Sequence, residues 1–280
     1  MVMIIRAPVV AGSFYDIDKD RLQKQISAAF KHKLGPKPCE RQKFVAAIVP
    51  HAGYDYSGAV TAWIYSRIEK ANYIILGPNH QGIGVRFAIM QRGLWKTPLG
   101  EVAIKEDMAK KLMDECKILE QDVMAHQYEH SIEIQLPFLQ HEFGSDFGIV
   151  PICIRNEFAD ETLLESCKLV GKSIANVIKK DKEKWIIIAS SDFSHYVPQE
   201  VASKNDNYVI KSILKLDEKD FFSRINARNA TICGFGPIAV AMVAAKSLGV
   251  KKAELLKYAT SGDTTQDYSS VVGYASIVMR

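Results

Sequence analysis

Three histidines each follow a short apolar run that ends in a turn-forming cluster. His51 stands in PHAG after the run FVAAIV, His80 in GPNH after YIIL, and His195 in SSDFSH after WIIIA. Imidazole nitrogens bind transition metals and transfer protons near neutral pH. Three such side chains in equivalent places favour a shared site over three unrelated surface histidines.

Cys233 is the fourth candidate. It lies in TICGFGP, where two glycines bracket the start of a predicted helix. The positive end of the helix dipole favours a thiolate, which is a soft metal ligand or a nucleophile. Asp192 could orient His195 or act as a further ligand, or it could cap a turn. A metal-free reading, with Cys233 as nucleophile and His195 as its base, also stays open.

The segment from His126 to His130 reads HQYEH and matches the H-x-x-E-H pattern of a class of zinc metalloproteases. That pattern requires both histidines on one helix face. Here the predicted helix begins only near Ser131, so we do not expect a protease. Four residues are instead expected to line the cleft: Glu129, His130, Tyr54 and Asn79.

A scaffold must bring these distant positions together. Apolar runs at 44–49, 73–76, 148–154 and 185–189 predict strands that are buried on both faces. Helical periodicity lies between them, at 21–31, 57–70, 105–115, 131–143, 160–179, 200–215 and 237–248. This alternation predicts an α/β fold with a mixed or largely parallel central sheet flanked by helices. Ligands bind beyond the carboxyl ends of the strands in such sheets, where the three histidines fall.

The remaining segments complete the predicted domain. Residues 87–91 and 99–104 read as a hairpin, and 254–260 and 270–279 as two late strands. No internal repeat or Pro/Ser-rich linker interrupts the chain. We therefore predict a single domain over residues 1–280.

The composition of the chain argues against several classes of partner. The chain has 280 residues, 48% hydrophobic and 24% charged, which is typical of a globular protein. A net charge of +4 without a basic, aromatic-interleaved strand argues against a nucleic-acid partner. No apolar stretch is long enough for a membrane span. Five unpatterned cysteines favour a reducing compartment, so we predict a cytoplasmic protein without a membrane partner.

Several longer motifs resemble one family. In chain order they are RAPVVAGSFY (6–15), VPHAGYDYSGAVTAW (49–63), LGPNH (76–80), EHSIEIQLPFLQ (129–140), SSDFSHY (190–196), ICGFGP (232–237) and GDTTQDYSSVVGYAS (262–276). On these motifs, which cover nearly the whole chain, it is identified as a member of the Memo family. The resemblance implies a fold similar to the class III extradiol dioxygenases, which hold non-haem Fe(II) with two histidines and a glutamate.

The resemblance also implies roles for individual residues. His51, His80 and Cys233 would hold the metal, with His195 as acid/base and Asp192 beside it. The cofactor implied first is Fe(II), with copper or zinc as alternatives, because a thiolate softens the site. The exchange of a carboxylate for a thiolate argues against ring-cleaving dioxygenase activity. A redox or metal-handling role is predicted, and whether the protein turns over a substrate stays open.

A second hypothesis is a non-catalytic adaptor that uses a vestigial dioxygenase-like pocket to recognise a peptide or small molecule. Eukaryotic relatives are associated with motility signalling, phosphotyrosine-peptide binding and redox metal handling. Three arginines could then contact an anionic ligand: Arg6, Arg86 and Arg92. Prokaryotic relatives further imply a pathway link to radical SAM and AMMECR-type proteins.

Overall fold

The computed structural model describes residues 4–280, which form a twelve-stranded sheet with helices on both faces. The strands are β1 (Ile5–Arg6), β2 (Ala46–Val49), β3 (Asn72–Pro78), β4 (Phe87–Ile89), β5 (Leu94–Thr97), β6 (Gly100–Ile104), β7 (Glu120–Gln121), β8 (Gly148–Ile154), β9 (Trp185–Ser190), β10 (His195–Val197), β11 (Ala253–Thr260) and β12 (Val271–Met279). The helices are α1 (Lys19–Lys31), α2 (Tyr54–Tyr65), α3 (Glu106–Glu115), α4 (Met124–Gln127), α5 (Leu136–Phe143), α6 (Glu161–Lys180), α7 (Gln199–Leu214), α8 (Glu218–Arg228), α9 (Phe235–Ser247) and α10 (Gly262–Thr265). A 3₁₀ turn at Glu133–Gln135 precedes α5.

The main path of the sheet runs β1-β5-β6-β8-β3-β9-β2-β12-β10. Its centre, β8-β3-β9-β2, is parallel throughout, and β12 joins β2 in the antiparallel sense. The predicted α/β fold with a mixed, largely parallel sheet flanked by helices is therefore confirmed. Because β2, β9 and β3 are parallel neighbours, their carboxyl ends lie side by side.

Two apolar cores cover the two faces of this sheet. Along β3, Ile74 and Leu76 belong to the core under α6 and α9, whereas Tyr73 and Ile75 belong to the core under α1, α2 and α5. Successive strand residues point to opposite faces, so a strand between two helical layers must be apolar at every position. This burial on both faces explains why the strand segments of the sequence are continuous apolar runs without polar alternation.

Helix α6 begins where its capping residue predicts. The side chain of Asp160 accepts a hydrogen bond from the Leu163 amide. Helix α2 begins earlier than its predicted start at residue 57, because the Tyr54 amide bonds to the Phe14 carbonyl and Gly53 takes the cap position. Helix α8 was absent from the sequence prediction.

The predicted hairpin of 87–91 with 99–104 is wrong in its pairing. Strand β6 pairs with β5, whereas β4 pairs antiparallel with β8 and parallel with β7. Both segments are strands, but a third, β5, lies between them in the chain and has its own turn to β6. Across residues 4–280, no helix combines the length and apolarity that crossing a bilayer requires.

Candidate metal centre

Two parallel strands on either side of β9 and one helix-entry loop bring three donor side chains together. His51 follows β2, His80 follows β3, and Cys233 lies just before α9. Their ligand atoms all lie within 4.8 Å of one another, and Cys233 Sγ is 3.2 Å from His51 Nε2. Residues predicted from separate parts of the chain thus share one cleft at the carboxyl edge of the sheet.

A hydrogen-bond chain behind His51 fixes which ring nitrogen faces the cleft. The Ser190 hydroxyl donates its only proton to the Ser131 carbonyl at 2.6 Å and accepts a bond from Gln135 Nε2 at 2.8 Å. The remaining contact, His51 Nδ1 to Ser190 Oγ at 3.0 Å, must therefore be donated by the imidazole. Nε2 is left with a free lone pair towards Cys233. Burial, reinforced by His130 and His80, holds the pKa of His51 well below its usual range, so the ring is neutral.

A buried carboxylate performs the same task for His80. Glu129 accepts hydrogen bonds from the His80 amide at 2.6 Å, from His80 Nδ1 at 2.9 Å and from the Ser131 amide at 2.8 Å. Burial opposes the charge of Glu129, but bonding to His80 outweighs it and lowers the pKa of this carboxyl to about 2. An ionised carboxylate only accepts, so His80 carries its proton on Nδ1. Its Nε2 is therefore available to a ligand, an arrangement typical of metal-binding histidines.

Glu129 also affects the charge of His80. Burial works to lower the pKa of the ring, but the bond to Glu129 and its negative charge outweigh this, so the pKa of His80 is raised. His130 lies beside the pair: its ring stacks on His80 with centroids 4.8 Å apart, and its Nδ1 is 3.5 Å from Glu129 Oε1. Burial lowers the pKa of His130. Glu129 and His130 thus both contact His80, and their place in the lining of a cleft stays a prediction.

Backbone and side-chain contacts hold the loop that carries Cys233. Asn156 Nδ2, just beyond β8, donates to the Cys233 carbonyl at 2.9 Å, and the Asp192 amide approaches Cys233 Sγ at 3.2 Å. The Gly234 amide donates to Ser191 Oγ at 3.0 Å. A Cβ atom on Gly234 would lie 2.5 Å from the Ser190 carbonyl oxygen, so only glycine fits here.

The start of α9 was predicted to favour a thiolate at Cys233, but burial of the side chain has the opposite and larger effect. Burial raises the pKa of this thiol well above its usual range, and the charge of Asp192 adds to the effect. Without a cation beside it, the side chain is a thiol. This weakens the reading of Cys233 as a metal-free nucleophile.

His195 lies at the edge of this cleft and is held by a residue that the sequence did not single out. The His195 amide donates to Thr231 Oγ1 at 2.7 Å, and His195 Nδ1 lies 2.6 Å from the Thr231 carbonyl oxygen. A carbonyl only accepts, so Nδ1 carries a proton. The charge of His195 is close enough to lower the pKa of His51.

Asp192 has a different contact from the one predicted for it. Its Oδ1 accepts the His51 amide at 2.9 Å, and Oδ2 is 4.0 Å from His51 Nε2. Burial raises the pKa of Asp192 to about 6. Thr231, not Asp192, makes the hydrogen bonds that orient His195. Asp192 instead fixes the backbone at His51.

Two further expectations, for Tyr54 and Arg6, are corrected. Tyr54 does not line the cleft: its ring packs on Phe138 and its hydroxyl donates to the Ile134 carbonyl at 2.7 Å, inside the core. Asn79 accepts from the Gly82 amide and donates to the Ile83 carbonyl, which shapes the loop after β3, and its place in the cleft stays a prediction. Arg6 is buried and bonded to Glu133, so it cannot contact an incoming anion.

The H-x-x-E-H segment does not form a protease site. His126 ends in the core beside Trp95, with ring centroids 6.1 Å apart, and its Nδ1 bonds to the Asp122 carbonyl. Helix α4 ends at Gln127, before Glu129 and His130. The two histidines therefore do not share a helix face.

Sequence reasoning missed the residues that orient the donors: Ser190, Gln135, Thr231 and Asn156. Gln135 carried a usable signal, since it is a polar residue between Ile134 and Leu136 at the start of an apolar helix. It is fully buried and also accepts from the Tyr65 hydroxyl at 2.8 Å. The other three stand in polar loops or at a strand end, where nothing in their spacing distinguishes them.

Comparison with known proteins agrees with the motifs. A family model described as Memo-like protein matches residues 6–278. The chain belongs to the Memo family. It is 43% identical to the MEMO1 family protein MK0963 of Methanopyrus kandleri, over 98% of this chain and 99% of that one. It is 45% identical to a MEMO1 family protein of Methanococcoides burtonii, over 99% and 100% of the two chains.

A solved structure is also similar. The uncharacterized protein JW3007 of Escherichia coli K12 superposes with a TM-score of 0.55 at 12% identity, over 85% of this chain and all of that one. At this identity the likeness concerns the fold alone.

Proposed function

We propose that this protein binds one transition-metal ion through His51 Nε2, His80 Nε2 and Cys233 Sγ and serves a redox or metal-handling role. The observation that carries the proposal is the orientation of the two imidazoles. Each is held by its Nδ1 from behind, which leaves both Nε2 lone pairs directed towards the cleft that holds the thiol. Metal-bound histidines almost always bond through the other ring nitrogen in this way, and here both rings also lie within reach of a thiol.

The donor set fits such an ion. Two neutral imidazoles and one sulfur suit Fe(II), our first choice, and also admit copper or zinc. Once bound, a redox-active ion would supply electron transfer or Lewis acidity. With three protein donors, a position remains for a substrate or water.

Residues of the chain would transfer protons beside that centre and hold its ligands in place. His195 presents Nε2, since its Nδ1 proton is directed at the Thr231 carbonyl. We assign it the role of acid/base. Asp192 holds the backbone of His51, and its raised pKa would let it share a proton near pH 6. A cytoplasmic location and a link to radical SAM and AMMECR-type proteins remain predictions.

Anaerobic metal titration tests the proposal. The wild-type protein should bind about one Fe(II) or Cu(I) per chain, because three donors define one site. The double variant His51→Ala, Cys233→Ala should lose that binding while retaining its circular-dichroism spectrum. A matched variant with Cys39→Ala and His32→Ala changes the same residue types elsewhere and should bind normally. Unchanged stoichiometry in the double variant would contradict the proposal and favour the adaptor hypothesis.

A further inference from the structure

A second cleft, lined by cations, lies away from the metal centre. We call it the basic groove; it is a surface groove of about 900 Å³ whose floor includes Trp63, and its cations are Lys31, Lys33, Lys37, Arg67 and Lys257. These come from the end of α1, the loop after it, the turn that follows α2 and strand β11. Helix α2 begins beside the metal centre and ends at this groove. The two sites are thus separated by its 12 residues, about 18 Å along the axis.

The positive charges of the groove are not balanced by acidic side chains. No Asp or Glu lines it, and among the ion pairs formed within residues 4–280 none includes these five cations. Arg67 instead donates to the Trp63 carbonyl and lies over the indole, 4.9 Å from the ring centroid. Five positive charges around one groove exceed the net charge of +4 of the whole chain. Their mutual repulsion opposes folding, and no ion pair within residues 4–280 offsets it.

The loop that carries two of the lysines is held in one conformation. The Gly35 amide donates to the His32 carbonyl at 2.8 Å, and Trp63 Nε1 donates to the Leu34 carbonyl at 2.8 Å. A Cβ on Gly35 would lie 2.6 Å from the Ala29 carbonyl oxygen, so the close approach requires glycine. Pro36 and Pro38 restrict the backbone on either side of Lys37. A rigid loop lowers the entropic cost of gathering cations around a ligand.

We propose that the basic groove binds a small, phosphate-bearing polyanion. Lysine and arginine provide the donors that phosphate oxygens accept. The five cations line one groove of limited volume, which favours a short polyphosphate group over an extended nucleic-acid backbone. None of the groove residues belongs to the metal centre, so this site is independent of the proposed metal function.

Calorimetric titration with inorganic triphosphate, in buffer free of divalent cations, tests the site. The wild-type protein should bind one triphosphate per chain at about 50 mM salt and more weakly at about 200 mM, because screening increases with ionic strength. The variant Lys33→Gln, Lys37→Gln, Lys257→Gln should bind roughly tenfold or more weakly. The control Lys19→Gln, Lys219→Gln, Lys251→Gln removes the same charge from exposed positions outside the groove and should change the affinity less than about twofold.

The outcomes distinguish a specific triphosphate site from nonspecific electrostatic attraction to surface lysines. Equal weakening in both triple variants, or no binding by the wild type at low salt, would overturn the proposal. A short single-stranded oligonucleotide that outcompetes triphosphate would overturn the compact-ligand assignment. The His51→Ala, Cys233→Ala protein should bind triphosphate as the wild type does. Loss of binding there would instead place the anion at the metal centre.

Discussion

Cys233 Sγ lies 3.2 Å from His51 Nε2, although the two residues are 182 positions apart in the chain. Bonds of about 2.0 Å to nitrogen and about 2.3 Å to sulfur in a tetrahedral site separate such a pair by roughly 3.5 Å. The fold therefore places two of the proposed donors close to the spacing that a shared ion would require. Contacts around the donors, and one buried histidine outside the site, lead to testable expectations.

Ser190→Ala removes the acceptor that holds the Nδ1 proton of His51. We expect Fe(II) or Cu(I) affinity to fall about 10- to 100-fold, as when other metal-bound histidines lose their supporting partner. Competition with a chromophoric chelator measures it. Ser166→Ala, on the exposed face of α6, is the matched control and should bind as the wild type does. Equal affinities for both variants would show that Ser190 does not orient the ring.

Glu129→Gln removes the charge that outweighs burial at His80. Because burial then outweighs the smaller opposing influence of Asp192, the pKa of His80 should fall below its ordinary value of 6.5. Imidazole NMR titration of the metal-free protein measures this change. In the wild type the raised pKa should weaken metal binding as the pH falls towards 6, since protons compete for Nε2. Glu120→Gln, in the exposed strand β7, should leave the pKa of His80 unchanged; a similar shift in both variants would contradict the assignment.

Gly234→Ala places a Cβ 2.5 Å from the Ser190 carbonyl oxygen and 2.5 Å from Ser191 Cβ. Because both neighbours are main chain or close to it, the Cys233 loop must move. We expect a loss of about 1–3 kcal/mol in the free energy of unfolding together with weakened metal binding. Urea denaturation and metal titration measure the two effects. Gly53→Ala, whose nearest contact would be 3.4 Å, is the control. A fully stable, fully metal-loaded Gly234→Ala protein would refute the packing argument.

His126 should make stability depend on pH. Burial lowers its pKa from 6.5 to about 4, so below pH 6.5 the unfolded chain takes up a proton that the folded chain refuses. The free energy of unfolding should therefore fall as the pH falls from 6.5 towards 4, by about 3 kcal/mol from this residue. His126→Gln keeps a neutral polar side chain and should flatten the curve across that window. Parallel wild-type and variant curves would show that folding does not change the pKa of His126.

The strands that deliver the donors were predictable because burial on both faces leaves an unmistakable apolar run. The same reasoning failed for β10, where His195 starts a three-residue strand with no apolar pattern. Helix α8 was missed although Asp217 caps it and Phe221, Phe222 and Ile225 face the core. The many charged residues of α8 obscured the helical spacing of these three apolar residues.

The site was predictable only at the level of its donors. Histidine and cysteine are metal ligands by residue type, so their placement at strand ends and at a helix start was enough to select them. The residues behind them are serine, glutamine, threonine and asparagine, whose roles arise from a particular hydrogen bond and not from the residue type. Tyr54 shows the converse error, since proximity in sequence to a donor does not set the direction of a side chain.

The position of Cys233 on a loop between α8 and α9 has a consequence for folding. An ion held by this thiol and by imidazoles after β2 and β3 would act as a non-covalent cross-link between remote parts of the polypeptide. Such a clamp stabilises only the fully assembled domain, since no partial structure presents all three donors. Chelation would then loosen the molecule as a whole, and occupancy of the cleft would report on the integrity of the entire sheet.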